Sequence, residues 1–336
     1  MCSNHNISTN TSSRGAVLFF IEGCIFLILD LVAFMGNSLV CLAIYRNSSL
    51  RTVTNFFLFS LALTDLVAAI AVIPFNTISS FANCWVFGYL GCQLVGGFAY
   101  CWAGISLLTL TLVALNRYTC VVRPSIYTKT FSKKRAKVMI IVTWFFTSIV
   151  VAIVFPLLGI RFKVTRENPA IVSPLFSSQS SFTLFHAIHI VYIALPCLVM
   201  TACYFKVFLT IKKHNKSVIP SFQTGQAFFI RRRNPMTVID CRNHGIEEAR
   251  MTKLLAIVLA GFFLCWLPSF LTILLRLFHA IEKVHEVYSN FYHLFPAYLS
   301  SSINPVIYAT MSKQFRLEFL NILRFKKKNS LFIDVS

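Results

Sequence analysis

Charged residues are scarce in this chain, and acidic ones are the scarcest. Asp and Glu number 11 and Lys and Arg 31 among 336 residues, so charged side chains make up 12% of the sequence and hydrophobic ones 57%. This balance excludes a soluble domain with a single core, because such domains are roughly 25% charged. The 34 Phe residues and the positive mean hydropathy instead indicate a membrane protein.

Several patterns that would indicate other classes of protein are also missing. The sequence has no closely spaced cysteine pairs and no His/Cys clusters, so it predicts no metal site of that kind. It has no internal repeat, which argues against an inverted-repeat transporter. A cleavable signal peptide is not evident, because the first apolar run is too long for one. Most of the cysteines fall in apolar stretches, where they are expected to be small buried side chains: Cys24, Cys41, Cys101, Cys120, Cys197, Cys203 and Cys265.

Seven apolar stretches are long enough to cross a bilayer, which takes about 20 residues. They cover approximately residues 16–45, 53–80, 90–122, 136–159, 183–211, 252–279 and 287–310. We therefore expect an all-α membrane protein, a seven-transmembrane helix bundle at residues 16–310 that follows a tail at residues 1–15. Apolar residues cluster on one helical face of residues 311–324, which predicts a short amphipathic helix on the inner surface. Residues 325–336 would form a cytoplasmic tail.

The net charge of +20 would suit a nucleic-acid partner, but the distribution of the charge argues against one. With the N-terminus outside, 25 of the 31 Lys and Arg residues fall on the inner side of the seven spans and 6 on the outer side. This is the positive-inside pattern of helical membrane proteins. The sequence thus predicts a multi-pass protein with an extracellular N-terminus, with the lipid bilayer and not nucleic acid as its partner.

N-glycosylation sequons fit the same orientation. Asn6 and Asn10 each begin an Asn-X-Ser/Thr triplet in the N-terminal tail. A third match at Asn47 falls on the inner side, so the triplet alone is weak evidence. The two connections longer than the rest, at residues 160–182 and 212–247, are expected to be loops or partly disordered segments.

Each span carries a polar residue, a tryptophan or a proline that is ill suited to face lipid. In hydrocarbon such groups need partners inside the protein, which makes them functional candidates. In the third span, Cys92 and Arg117 are about 37 Å apart at ~1.5 Å per residue. Cys92 therefore lies at the outer surface when Arg117 lies at the inner one. The unusual residues are Asn37, Asp65, Arg117, Trp144, Pro196, Pro268 and Asn304.

Motifs around these residues, one set per span and in order, resemble those of rhodopsin-like (class A) G-protein-coupled receptors over residues 16–324. The motifs are Gly36-Asn37, Leu61-Ala62-Leu63-Thr64-Asp65, Trp85-Val86-Phe87-Gly88 with Cys92, Asn116-Arg117-Tyr118, Trp144, Pro196 with Tyr204, Phe262-Phe263-Leu264-Cys265-Trp266-Leu267-Pro268 and Asn304-Pro305-Val306-Ile307-Tyr308. The resemblance implies a plasma-membrane receptor and not an enzyme. Such a receptor binds an extracellular ligand and activates a heterotrimeric G protein by changing shape.

The resemblance assigns G-protein contact to Arg117, with Tyr118 beside it. An ion pair from Arg117 to Glu248 is expected to hold the resting state. Tyr204 and Tyr308, the latter in the Asn304-Pro305 motif, would take over Arg117 once the bundle opens.

Many family members have an acid directly before this arginine, where the chain has Asn116. Melatonin receptors also carry Asn there. We therefore expect one restraint on Arg117 to be missing, and some signalling without ligand.

A switch and an ion site are further implications of the resemblance. Pro268 removes a backbone hydrogen bond from the sixth helix. Trp266 and Phe262 lie just inside it and would couple ligand contact to outward movement of that helix. An ionisable Asp65 at mid-membrane depth is costly when unpaired. Its expected partners are Asn37, Ser106, Ser300 and Asn304, which hold either a sodium ion, as in family members, or a proton and water network alone. No other cofactor is expected.

The outer surface departs from the family pattern. Most relatives tie the cysteine at position 92 to a cysteine in the loop between the fourth and fifth helices, but residues 160–182 contain none. Cys84 and Cys2 are the remaining outside candidates. We expect a free Cys92 in preference to a Cys84–Cys92 bridge, and a less constrained outer loop.

The expected ligand is neither an amine nor retinal. Aminergic receptors place an Asp where this chain has Ala99, and no Asp or Glu occurs in the outer halves of the third, fifth, sixth and seventh helices. Opsins hold retinal on a Lys where the chain has Tyr298. An apolar pocket with neutral polar tips suits a neutral small molecule, a lipid or a peptide end. Its expected residues are Gly96, Ala99, His189, Trp266, Phe270, Ile273 and Tyr298.

Other functions remain open at this point. A seven-helix transporter or channel would need a continuous polar path, yet charges within the spans are few. A receptor-like scaffold that couples to no G protein would share the motifs. Replacement of Arg117 would then have no effect on signalling.

Overall fold

The computed structural model describes residues 16–164, 171–223, 251–269, 271 and 289–324, without the side chains of residues 16, 128, 214–223 and 289–293. This part of the chain is helical except for one β-hairpin. Several sequence predictions lie outside the described residues: those on the tails at 1–15 and 325–336, and on Asn6, Asn10, Glu248, Phe270 and Ile273.

The long helices follow the seven predicted spans. Six of those described are apolar and long enough to cross a membrane; the seventh span, at the end of the chain, includes Pro296, Asn304 and Pro305. In order, the spans are Ala16–Arg46; Val53–Ala71 with Ile73–Ala82; Gly88–Val122; Lys133–Ile149 with Val150–Val154 and Phe155–Leu157; Gln179–Gln223; Met251–Ser269; and Ser289–Met311. Shorter helices are Ser48–Leu50, Pro124–Thr130 and Lys313–Leu323.

The third span lies at the centre of the bundle, where it contacts the second, fourth and fifth spans and the hairpin. The first span packs against the second and the seventh. Gly36 allows the close approach of the first and seventh spans, because a Cβ atom there would lie 2.8 Å from the ring of Pro305. Large apolar side chains such as Leu198 and Leu264 are exposed on the outside of the bundle, as expected for a surface that faces lipid.

A break divides the second span. Val72 leaves helical geometry (φ −128°, ψ −61°), and the helix restarts at Ile73. Pro74 explains the break, because it has no N–H and its ring crowds the preceding turn. Beyond the break, Asn76 Nδ2 donates to the hydroxyl of Tyr298 at 2.7 Å, which joins the second span to the seventh.

The segment between the fourth and fifth spans contains a β-hairpin, so the expectation of a loop or partly disordered segment is wrong for these residues. Strand β1 is Ile160–Val164 and strand β2 is Val172–Phe176, and they pair antiparallel. Ile160 and Phe162 are buried, whereas Arg161 and Lys163 are exposed. This alternation is the period-two pattern of a half-buried strand.

The C-terminal helix Lys313–Leu323 lies against the first and seventh spans. Phe315 is buried and its ring stacks on Tyr308 at 5.5 Å. Glu318 is buried as well, and its Oε2 accepts a hydrogen bond of 3.2 Å from Asn47 Nδ2. Asn47, the third sequon position, therefore forms part of this inner contact.

Candidate functional site

Arg117 lies buried near the inner end of the third span and hydrogen-bonds to two neutral side chains. It is 5% exposed. Its guanidinium donates to Thr54 Oγ1 and, at 3.2 Å, to Asn116 Oδ1. Thr54 Oγ1 in turn donates to Asn116 Oδ1 at 2.9 Å. The amide oxygen of Asn116 thus accepts where many family members have an acid, and the loss of the ionic restraint on Arg117 stays a prediction.

Two tyrosines of the fifth and seventh spans, which lie near each other, have hydroxyl groups without hydrogen bonds among the described residues. The hydroxyls of Tyr204 and Tyr308 are buried and have no partner within the described part of the chain. Tyr204 lies close enough to Arg117 to feel its charge. Tyr118 faces the fifth span, where Lys206 Nζ lies 5.8 Å from the centre of its ring. The site thus pairs a buried cation with phenols that are free to accept hydrogen bonds.

Asp65 is buried in the middle of the bundle, with donors on both oxygens. The indole Nε1 of Trp102 donates to Oδ1 at 3.1 Å, and Asn304 Nδ2 donates to Oδ2 at 3.2 Å. Asn37 lies nearby and bonds to the backbone oxygen of Ser301 at 3.1 Å. Hydrogen bonds to a buried carboxylate offset part of the cost of its desolvation.

The serines around Asp65 differ from those predicted. Ser300 donates to the backbone oxygen of Ala297 at 2.7 Å, so the expectation that it serves Asp65 is wrong in this structure. Ser301 lies beside the carboxylate instead. Both Ser301 and Ser106 have buried hydroxyls that make no hydrogen bond of good geometry to any residue that the structure describes. A hydroxyl oxygen next to a carboxylate, as at Ser301, fits a hard cation, which takes oxygen ligands. Asp65 and Ser301 would hold a sodium ion, although the Trp102 N–H already occupies one carboxylate oxygen.

An aromatic chain leads from Asp65 to the sixth span. The rings of Trp102 and Trp266 are 6.1 Å apart, and those of Trp266 and Phe262 are 5.7 Å apart. The expected pair of Trp266 and Phe262 is therefore in contact, one turn apart on the same helix face. The described helix continues through Pro268 to Ser269.

The expected ligand pocket is enclosed by aromatic rings at its outer end. A Cβ atom added to Gly96 would collide with the ring of Phe162, so Gly96 lies beneath that ring and does not face open space. Phe162 also contacts Tyr100, with ring centres 5.6 Å apart, and Tyr100 lies 5.9 Å from the ring of His189. Ala99 packs against the same cluster and is partly buried.

Tyr298 departs from the expected arrangement, because it is fully buried and bonded to Asn76. It therefore belongs to the packing between the second and seventh spans and is not an exposed pocket wall.

The outer cysteines settle the choice left open above. Cys92 is a buried free thiol, whereas Cys84 is disulfide-bonded. A Cys84–Cys92 bridge is therefore not formed. That the outer loop is less constrained than in relatives stays a prediction, although Gln93, next to Cys92, joins the hairpin to the third span by two hydrogen bonds to the backbone of Phe162.

The sequence analysis missed three residues that form these contacts, namely Thr54, Trp102 and Gln93. All three are polar groups inside spans, which is the signal that singled out Asp65 and Arg117. Their partners lie 62, 37 and 69 residues away in the chain, so spacing along one helix could not reveal them.

Comparisons with known proteins agree with this geometry. The family described as "7 transmembrane receptor (rhodopsin family)" matches residues 36–308. The octopamine receptor beta-2R of Chilo suppressalis is 28% identical over 92% of this chain and 80% of that protein. The trace amine-associated receptor 13c of Danio rerio is 30% identical over 90% of this chain and 86% of that protein.

A solved structure supports the fold. The crystal structure of squid rhodopsin superposes with a TM-score of 0.80 over 96% of this chain and 91% of that chain, at 22% sequence identity. The family match covers most of the chain and all seven motif sets. This multi-pass membrane protein therefore belongs to the rhodopsin family of seven-transmembrane receptors.

Proposed function

We propose that the protein is a plasma-membrane receptor with an extracellular N-terminus, which binds an extracellular ligand and catalyses nucleotide exchange on a heterotrimeric G protein. The arrangement of Arg117 is the observation that carries this proposal. A buried arginine at the inner end of the central helix donates hydrogen bonds to the uncharged side chains of Thr54 and Asn116. Hydrogen bonds to neutral groups cost less to break than ion pairs, so the arginine can be released.

The aromatic chain supplies a route between the two ends of the bundle. Ligand contact from the outer side would repack Trp266 against Phe262 and Trp102, because a close-packed interior has discrete packings and does not deform continuously. Outward movement of the inner end of the sixth span would then open a cytoplasmic cleft. Tyr204 and Tyr308 have the free hydroxyls needed to accept hydrogen bonds from Arg117 in that state.

The ligand that fits best is a neutral molecule, a lipid or a peptide end. Ala99 supplies no counter-charge, and the rings around it belong to Tyr100, Phe162, Phe185 and His189. A cation placed there would lose its hydration without an ion pair in return.

A protonated amine is the second candidate, since the relatives named above are an octopamine receptor and a trace amine-associated receptor. Its counter-charge would have to come from outside the third span. Asp30 is available, because its Oδ1 is buried without a hydrogen bond and it lies near Tyr298. Activation by octopamine that is lost in Asp30→Asn would favour this candidate over the neutral ligand.

Nucleotide exchange by the purified receptor tests the proposed function. We expect receptor in lipid nanodiscs to accelerate GTP binding to at least one class of heterotrimeric G protein without added ligand, and Arg117→Ala to abolish the acceleration. Arg161→Ala is the matched control, because Arg161 is exposed on the outer hairpin. If the receptor accelerated nucleotide exchange on no class of G protein, the proposed coupling would be wrong. The remaining functions would be a receptor-like scaffold or a transporter. Ion or solute flux across liposomes then identifies the transporter.

A further inference from the structure

One side chain of the third span pairs with strand β1 of the outer hairpin. Gln93 Nε2 donates to the backbone oxygen of Phe162 at 2.6 Å, and the backbone N–H of Phe162 donates to Gln93 Oε1 at 3.0 Å. A side-chain amide carries the same donor and acceptor as a peptide group. Gln93 therefore bonds to β1 as a residue of a neighbouring strand would.

The register of the hairpin explains why Phe162 offers both backbone groups. Phe162 lies opposite Pro174 in β2, and proline has no N–H to donate. Residue pairs in an antiparallel ladder alternate between bonded and non-bonded types, so this pair is of the non-bonded type. The N–H and C=O of Phe162 therefore face away from β2, towards the third span. Without Gln93 they would be buried polar groups in need of partners, which is costly.

The side chain of Phe162 is fixed by the same face of the third span. Its ring covers Gly96, three residues from Gln93 and thus on the same side of the helix. It also contacts Tyr100. Gln93 therefore fixes the backbone of Phe162, and Gly96, one turn along the same helix, accommodates its ring. No disulfide joins the hairpin to the third span, because Cys92 is a free thiol and residues 160–182 contain no cysteine.

We propose that Gln93 is the positioning residue that fixes the outer hairpin over the third span in place of a covalent link, and that Phe162, held by it, is the specificity-determining roof of the ligand pocket. This inference rests on the proposed function, since it concerns the same pocket. A ligand beneath the roof meets the rings of Phe162, Tyr100 and His189, which select flat aromatic or apolar molecules. The link is reversible, so the roof can lift when two hydrogen bonds break.

Hydrogen–deuterium exchange of the full-length receptor in nanodiscs tests the link. In Gln93→Ala we expect peptides that cover residues 160–164 to exchange faster by about fivefold, because the N–H of Phe162, whose exchange is measured, loses its hydrogen bond to Gln93. Gln93→Glu keeps the acceptor and loses the donor, so its increase should be smaller. Cys92→Ser, at the adjacent position, should match the unchanged receptor. Wild-type exchange in Gln93→Ala would overturn the role of Gln93.

Thiol accessibility tests the roof. Ala99→Cys in a Cys92→Ser background is labelled with a membrane-impermeant thiol reagent, and labelling of the same background without Ala99→Cys is subtracted. We expect slow labelling that becomes several-fold faster on addition of either Phe162→Ala or Gln93→Ala. Equal labelling rates of Ala99→Cys alone, with Phe162→Ala and with Gln93→Ala would overturn the proposal that Phe162 covers the pocket.

Both measurements proceed without ligand or G protein. If both measurements give the expected results but the receptor does not accelerate nucleotide exchange, only the proposed function is refuted. A receptor that catalyses exchange but fails both refutes only this inference.

Discussion

At the scale of single residues, a neutral amide hydrogen-bonds to the buried Arg117. Asn116 stands where many family members have an acid, and its amide oxygen accepts from Arg117 and Thr54. A neutral acceptor holds a guanidinium less firmly than a carboxylate does. The strength of this restraint should therefore decide the basal activity of the receptor.

Opposite changes to this restraint should move basal signalling in opposite directions. Asn116→Asp supplies a charged acceptor and should lower ligand-independent nucleotide exchange by about fivefold, for a gain of roughly 1 kcal/mol in the resting state. Thr54→Val removes the hydroxyl that bonds to Arg117 and should raise exchange. Both are measured with purified receptor at matched concentrations. Basal exchange that is unchanged in the two variants would show that the cluster does not restrain Arg117.

The hydrogen bond from Trp102 to Asp65 is the second prediction at this scale. Trp102→Phe keeps an aromatic ring and removes the N–H, so it should lower the free energy of unfolding by about 1–3 kcal/mol. It also vacates one carboxylate oxygen, so sodium chloride should stabilise this variant more than the unchanged receptor, relative to choline chloride. Thermal unfolding of the purified proteins in the two salts measures both effects.

Trp144→Phe is the matched control, because Trp144 Nε1 donates to the neutral hydroxyl of Ser60 at 3.0 Å. Trp144→Phe should lower the free energy of unfolding by less than Trp102→Phe does, and sodium chloride should stabilise it no more than the unchanged receptor. Identical sodium responses in the two variants would argue against a cation site at Asp65.

At the scale of elements, close approach depends on single small residues. The first and seventh spans meet where Gly36 faces Pro305. The hairpin meets the third span where Gly96 faces Phe162. Neither contact is visible in the sequence, because a glycine in an apolar run can mark a contact, a bend or nothing. The spans themselves could be predicted, since length and hydropathy are properties of one segment.

Gly36→Ala should destabilise the bundle, because the added Cβ lies 2.8 Å from two carbon atoms of the rigid Pro305 ring. Overpacking of this kind costs roughly 1–3 kcal/mol. Gly97→Ala is the control, since its Cβ would lie 3.7 Å from Val151 in ordinary contact. That variant should be neutral or gain up to ~1 kcal/mol from helix propensity. Thermal unfolding compares them, and equal stabilities would mean that the first span shifts to accommodate the methyl group.

At the scale of the whole molecule, charge asymmetry predicts the orientation in the membrane. With 25 basic residues on one side and 6 on the other, the N-terminal tail should face outside and carry glycans. Replacement of both Asn6 and Asn10 by Gln should abolish the mobility shift that glycosidase treatment produces in receptor from animal cells.

Asn47→Gln should leave that shift unchanged, because Asn47 is bonded to Glu318 at the inner end of the bundle. A glycan on Asn47 would reverse the proposed orientation.

The sequence by itself determined the seven spans and their order, because length and hydropathy are properties of single segments. Its motifs identified the family, and the fixed rise of ~1.5 Å per residue predicted the depth of each polar residue. Only the tertiary structure decided the partners of those residues. Thr54 with Asn116, Trp102 with Asp65 and Gln93 with Phe162 are pairs from different segments. Which side chains meet depends on the rotation and packing of each helix against its neighbours. Those are set by the contacts of the whole bundle together.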